Sequence, residues 1–93
     1  MPDVPDVPPF ELRPDDYVYL QVADHIEARI RAGELPVGAR LPGEHDLAEE
    51  YGVAFNTARR VTRELRERGL IRTLPGKGSY VQGAQEDEPP ADQ

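Results

Sequence analysis

The sequence has no cysteine and no long apolar run, and each absence excludes a class of protein. Without thiols the chain cannot form disulfide bonds or bind a metal through thiolates. A membrane-spanning helix needs about 18 consecutive apolar residues, and no such stretch is present. The first nine residues are acidic and proline-rich, unlike the basic and then apolar start of a signal peptide. We therefore expect a cytoplasmic protein that has no membrane partner.

The chain is also short for an enzyme. Its 93 residues make one domain at most, and a core of that size leaves little volume for a deep substrate cavity. The neighbouring carboxylates need not face one another, and His25 has no second ligand at metal spacing, so no acid–base pair or metal cluster can be assembled. We expect a binding module, not an enzyme, with no cofactor, no metal and no effector pocket.

Proline and acidic residues dominate both ends of the chain. Residues 1–14 contain five prolines, which remove backbone donors and favour extended conformations, and residues 84–93 have a similar composition. We expect residues 1–14 to be a disordered acidic arm and residues 84–93 a disordered acidic tail. The folded domain is then expected at residues 15–83.

Basic residues are scarce except in one segment. The net charge is −7, and Lys77 is the only lysine. Residues 57–81 hold seven basic residues against two acidic ones, for a net charge of +5, whereas residues 1–16, 17–56 and 82–93 carry −4 each. A net acidic chain is not expected to bind nucleic acid as a whole, but this distribution predicts one cationic surface.

The apolar spacing predicts three helices. The first is expected to begin at an Asp15 or Asp16 cap and to end at Gly33. The second covers residues 43–51, and Gly52 ends it. The third covers residues 55–68. The stripe predicted to be buried in the first helix consists of Tyr19, Val22, Ala23, Ile26 and Ile30.

A β-hairpin is predicted after the third helix. Residues 70–74 form an apolar, partly alternating strand, PGKG forms a turn, and residues 79–81 form the return strand. The connection between the first two helices is rich in glycine and proline, which interrupt regular structure. A short strand at residues 39–41 is compatible with this composition.

The third helix separates apolar from cationic residues. At about 100° per residue its apolar side chains share one face, and the opposite face is polar and mostly cationic. That outer face consists of Asn56, Arg59, Arg60, Arg63 and Glu67. Two helices joined by a tight glycine turn, the second with a cationic outer face, are typical of a helix-turn-helix that places the second helix in the major groove. The alternative is a solvated face whose arginines pair with Glu64 and Glu67.

Two segments resemble the DNA-binding domain of GntR-type regulators. They are RLPGEHDLAEEYGVAFNTARRVTRELRERGLIRTLPGKGSYV, which resembles the family signature, and YLQVADHIEARIRAGELPVGARLP, which resembles the first helix and connection. The resemblance covers residues 17–82. It implies a mainly α fold, a winged helix-turn-helix with three helices plus a two-stranded wing.

The resemblance also implies roles for these elements. Residues 43–51 would be the positioning helix, residues 55–68 the recognition helix in the major groove, and residues 70–81 the wing at the adjacent backbone or minor groove. The implied function is a sequence-specific transcriptional regulator, a repressor, that binds an operator of two half-sites in double-stranded DNA as a homodimer. Too few residues follow the wing for the C-terminal effector domain usual in the family, so we expect either a stand-alone domain or a fragment of a longer regulator.

Two positions depart from the family pattern. The usual arginines are replaced by His45 at the start of the second helix and by Phe55 at the start of the third, and Ala54 removes the usual side-chain cap. Phenylalanine can contact a thymine methyl group but cannot bond guanine, so we expect an operator unlike the common family motif. The alternative function is a winged-helix protein-interaction adaptor that has lost specific DNA readout.

The candidate DNA-binding residues combine these features. Arginine forks suit guanine edges or phosphates, and the free backbone donors at the start of the third helix suit a phosphate. The lysine of the hairpin tip lies between two glycines that allow close approach to DNA. The full set is His45, Phe55, Asn56, Thr57, Arg59, Arg60, Arg63, Gly76, Lys77 and Gly78. For His45 a plain surface position, for Phe55 packing against the turn, and for Lys77 an ordinary hairpin tip are the alternatives.

Overall fold

Three helices and a β-hairpin make up the part of the chain that the computed structural model describes, residues 7–82. The elements are α1 (Val18–Arg31), α2 (Glu44–Tyr51), α3 (Phe55–Glu67), β1 (Ile71–Leu74) and β2 (Gly78–Val81). Their order confirms the predicted mainly α fold with a two-stranded wing. Within the described part no helix is both long and apolar enough to cross a membrane. Residues 1–6 of the predicted arm and residues 84–93 of the predicted tail lie outside the described residues.

The core lies between α3 and its neighbours. The apolar face of α3 packs against α1 and α2, and residues from the hairpin close the core from the other side. The predicted stripe of α1 is buried except for Tyr19, which is half-buried at its edge. The largest fully buried side chains are Ile26, Leu47, Leu65, Ile71, Val22 and Val61.

A tight turn sets the angle between α2 and α3. Gly52 ends α2 with φ 67°, in the left-handed region that favours glycine, as predicted. The amide of Val53 then donates to the carbonyl of Ala48 at 3.0 Å, which closes the last turn of the helix. Only three residues therefore separate α2 from the start of α3 at Phe55.

The start of α1 differs from the prediction. Neither Asp15 nor Asp16 caps the helix: the N-cap is Tyr17, and it makes no side-chain cap hydrogen bond. The Asp16 carboxylate instead accepts from the amide of Tyr17 at 2.7 Å. The buried side chain of Gln21 accepts from the amide of Arg13 at 2.7 Å and donates to the Arg13 and Asp16 carbonyls at 2.8 and 3.0 Å. Gln21 thus anchors the chain that leads into α1.

The described part of the predicted arm contacts the domain through Pro8 and Phe10. The ring of Phe10 lies edge to face with the rings of His25 and Tyr51, with centroids 5.5 and 5.1 Å away. His25 bridges the Tyr51 hydroxyl and the Pro8 carbonyl, with 2.8 Å to each. Composition predicted extended conformations in this segment, but it did not show that one aromatic side chain reaches a groove between α1 and α2.

A third segment, residues 39–41, pairs with the outer edge of the hairpin. β1 and β2 are antiparallel, with Arg72 opposite Tyr80. Arg40 forms a bridge to Tyr80 on the other side of β2. The amide of Leu41 donates to the Ser79 carbonyl at 2.8 Å, and the Val81 amide donates to Ala39 at 2.9 Å. The short strand for which the sequence left room at residues 39–41 is thus present as this single bridge, and it attaches the α1–α2 connection to the wing, residues 71–81.

Candidate nucleic-acid interface

The centre of the outer face of α3 carries two arginines without acidic partners. Arg59 and Arg63 are exposed and one helical turn apart. Within residues 7–82 neither guanidinium has a carboxylate within ion-pair distance, and Glu64 pairs with Arg68. The alternative of a solvated face neutralised by Glu64 and Glu67 therefore does not describe these two residues. Asn56 is exposed on the same face, and Thr57 is half-buried beside it.

Arg60 is held at one edge of this face. Its guanidinium carbon lies 3.9 Å from the centroid of the Tyr19 ring on α1. Such a cation–π contact orients the side chain towards α1 while leaving it exposed. Sequence analysis grouped Arg60 with Arg59 and Arg63, because the helical angle alone does not show which side chain of another element lies beside each position.

Arg66 is held at the opposite edge. It donates to the hydroxyl of Thr73 on β1 at 2.9 Å, and that hydroxyl lies 2.8 Å from the hydroxyl of Ser79 on β2. This chain of hydrogen bonds joins α3 to both strands of the wing. The two edges of α3 are therefore fixed by contacts within the domain, and the centre of its outer face remains open.

Arg68 belongs to the framework of the domain and not to the outer face. Its guanidinium contacts Asp24 at 3.0 Å, Glu27 at 2.7 Å and Glu64 at 2.9 Å. Burial alone would lower the pKa of Arg68, but these three hydrogen-bonded carboxylates raise it above its ordinary value. Burial alone would likewise raise the pKa of Glu27, yet its hydrogen bonds from Arg31 and Arg68 hold that pKa below the ordinary value. Part of the cationic segment is thus used to join α1 to α3.

The two residues that depart from the family pattern contact each other. The rings of His45, near the start of α2, and Phe55, the first residue of α3, are stacked with centroids 4.3 Å apart and planes 25° apart. His45 is exposed, and 38% of Phe55 remains exposed. The N-cap of α3 is Ala54 and has no side-chain hydrogen bond, which confirms the predicted loss of the cap. The first turn of α3 thus presents free backbone amides beside the aromatic pair that Phe55 forms with His45.

The wing tip places a lysine between two glycines with positive φ. Gly76 and Gly78 have φ values of 79° and 127°, and the exposed Lys77 lies between them. Both glycines were expected to leave open space for close approach to DNA, but the space beside Gly78 is filled. A Cβ built there would lie 2.7 Å from Nε of Arg40. Sequence reasoning missed Arg40 because it lies in an acidic segment of the chain. Only the pairing of residues 39–41 with β2 brings it to the tip.

The sequence matches a known family of proteins. The family described as "Bacterial regulatory proteins, gntR family" matches residues 18–81. A relative that is 41% identical over 64 residues is the mannosyl-D-glycerate transport/metabolism system repressor of Escherichia coli strain K12. That match covers 69% of this chain and 27% of the relative, so the chain spans about a quarter of the repressor's length.

Solved structures share the fold. A GntR family transcriptional regulator from Listeria monocytogenes superposes with a TM-score of 0.74 at 27% identity, over 81% of this chain and 66% of the other. The DNA-binding domain of AraR, solved in complex with the operator ORX1, superposes with a TM-score of 0.64 at 30% identity, over 68% of this chain and 76% of the other.

Proposed function

Because the chain belongs to the GntR family of bacterial regulatory proteins, we propose that its three helices and wing read a specific operator as part of a repressor. Its relatives are DNA-binding transcriptional regulators and not enzymes, in agreement with the sequence-based expectation. In the proposed complex α3 enters the major groove, and the wing tip contacts the adjacent backbone or minor groove.

The observation that carries this proposal is the open pair of arginines on α3. Arg59 and Arg63 are exposed and lack carboxylate partners among residues 7–82. Because both edges of the helix are fixed to α1 and to the wing, these two forks are held on a rigid element. Arginine forks match the two acceptors of guanine in the major groove as well as phosphate oxygens.

The proposed partners and sites extend this reading. We assign DNA contacts to His45, Phe55, Asn56, Thr57 and Arg60 around the arginine pair, and to residues 76–78 at the wing tip. Helix-turn-helix proteins commonly bind two half-sites as dimers, so we propose a homodimer on a two-part operator. Repression is proposed because one relative is named a repressor. The alternative of an adaptor without DNA readout is not favoured by the relatives or by the structure solved with an operator.

Selection of bound duplexes from random DNA tests the proposal. The chain is expected to enrich one motif, with an affinity that falls steeply as salt rises. Arg59→Ala is expected to reduce discrimination against the wrong base by about 10- to 100-fold, which corresponds to the roughly 1 to 3 kcal/mol of a bidentate base contact. Arg31→Ala is the matched control, because Arg31 is an exposed arginine on α1 that pairs with Glu27. A chain that enriches no motif and ignores duplex DNA at low salt would contradict the proposal.

A further inference from the structure

Arg40, an arginine outside the cationic segment, lies between α2 and the wing tip. We infer that Arg40 binds a phosphate of the DNA backbone, on the strand that passes between α3 and the wing. The inference rests on the proposed function, and it adds a contact that neither the charge distribution nor the helical pattern assigns.

The fold fixes Arg40 to the wing. The bridge to Tyr80 and the flanking hydrogen bonds from Leu41 to Ser79 and from Val81 to Ala39 hold this residue on the edge of the sheet. Its guanidinium lies against Gly78, where a Cβ would come within 2.7 Å of Nε and 3.2 Å of Nη2. The backbone of Arg40 is therefore fixed to the sheet, and its side chain extends along the wing tip.

The charge of Arg40 is not neutralised by the domain. Arg40 is exposed, and within the described range its guanidinium has no carboxylate at ion-pair distance. Other arginines outside the cationic segment each have such a partner: Arg13 has Asp15, and Arg31 has Glu27. An unpaired guanidinium on a backbone that is fixed to the sheet is suited to an anionic ligand.

A groove beside Arg40 provides the space for that ligand. It has a volume of about 360 Å³ and lies between the start of α2, the middle of α3 and the wing. Two cations, Arg40 and Lys77, line it together with three hydroxyl-bearing residues, Thr62, Thr73 and Ser79. Glu44 is the one carboxylate among the lining residues.

The geometry of a duplex identifies the ligand. One backbone strand separates a major groove from the next minor groove. If α3 occupies the former and the wing tip approaches the latter, that strand passes over the gap between α3 and the wing. The groove beside Arg40 is this gap. Its ligand is then a phosphodiester, and the contact positions the protein without reading a base.

The test compares Arg40→Gln with the wild type and with Arg31→Gln as the matched control. Affinity is measured on the selected duplex and on an unrelated duplex over a range of salt concentrations. Arg40→Gln is expected to weaken binding to both duplexes by the same factor, roughly tenfold, since one charged hydrogen bond is lost. The negative slope of log affinity against log salt is expected to become shallower by about 0.9, the value for one phosphate contact. Arg31→Gln is expected to change neither quantity.

Phosphate ethylation separates this contact from a structural role of Arg40 in the wing. One ethylated phosphate is expected to weaken the wild type and Arg40→Lys but to have no further effect on Arg40→Gln. Thermal unfolding of the free proteins shows whether each variant is folded. If Arg40→Gln does not fold, a wild type insensitive to ethylation at every phosphate between the two grooves overturns the inference.

The remaining outcomes separate this inference from the proposed function. An unchanged salt slope in a folded Arg40→Gln overturns the inference alone, as does a loss confined to the selected duplex, which would indicate base reading. A wild type that binds neither duplex overturns the proposed function as well.

Discussion

Identical side chains acquire different roles from their neighbours in this domain. The sequence could predict that Arg59 and Arg63 face outward, because helical periodicity fixes the face of each position. It could not predict that Arg60 stacks on Tyr19, because Tyr19 lies on α1. It also could not predict that Arg68 binds Asp24 and Glu27, which lie on α1 as well. The centre of the site was therefore predictable from one helix, and its edges were not.

Phe55 is the residue at which specificity is expected to change. Its ring is stacked on His45 but keeps an exposed part at the start of α3, so packing and a contact to a thymine methyl are compatible. Phe55→Arg is expected to shift selected motifs towards guanine in each half-site, because the fork can bond the guanine edge. Selection from random DNA measures this shift. Phe55→Leu, which keeps an apolar group, is the control, and an unchanged motif in Phe55→Arg would contradict the assignment.

At the scale of elements, the sequence predicted what local signals encode. Periodicity and glycine predicted three helices, the turn at Gly52 and the hairpin. Sequence analysis missed the features that depend on contacts between residues far apart in the chain. Gln21 anchors the entry to α1 where an aspartate cap was expected, Phe10 brings part of the arm onto the domain, and Arg40 joins the sheet.

The contact of Phe10 with the domain is expected to contribute to stability. Its half-buried ring packs against Tyr51 and His25, so Phe10→Ala is expected to lower the free energy of unfolding by about 1 to 2 kcal/mol. Urea denaturation measures this change. Leu12→Ala is the matched control, because 56% of Leu12 is exposed, and its expected effect is within about 0.5 kcal/mol. Equal stabilities of the Phe10 variant and the wild type would show that the arm does not hold the domain.

At the scale of the whole molecule, the negative charge resides at the ends of the chain. Residues 17–81 carry ten basic and nine acidic residues, whereas residues 1–16 and 82–93 carry −4 each. The net charge of −7 therefore does not describe the surface proposed to meet DNA. Since a Debye length is about 10 Å at 0.1 M salt, the acidic ends can reduce the attraction of DNA only at low ionic strength.

Deleting residues 84–93 is expected to tighten nonspecific DNA binding. The deletion removes four acidic residues and no basic one, so less negative charge competes with phosphates for the cationic surface. Affinity for an unrelated duplex is expected to rise about threefold or more in low salt, and the gain is expected to vanish near physiological salt through screening. A chain of full length with Glu86, Asp87, Glu88 and Asp92 replaced by their amides is the control for length. It should reproduce the gain if charge is the cause, and an affinity unchanged in both variants at low salt would exclude competition by the tail.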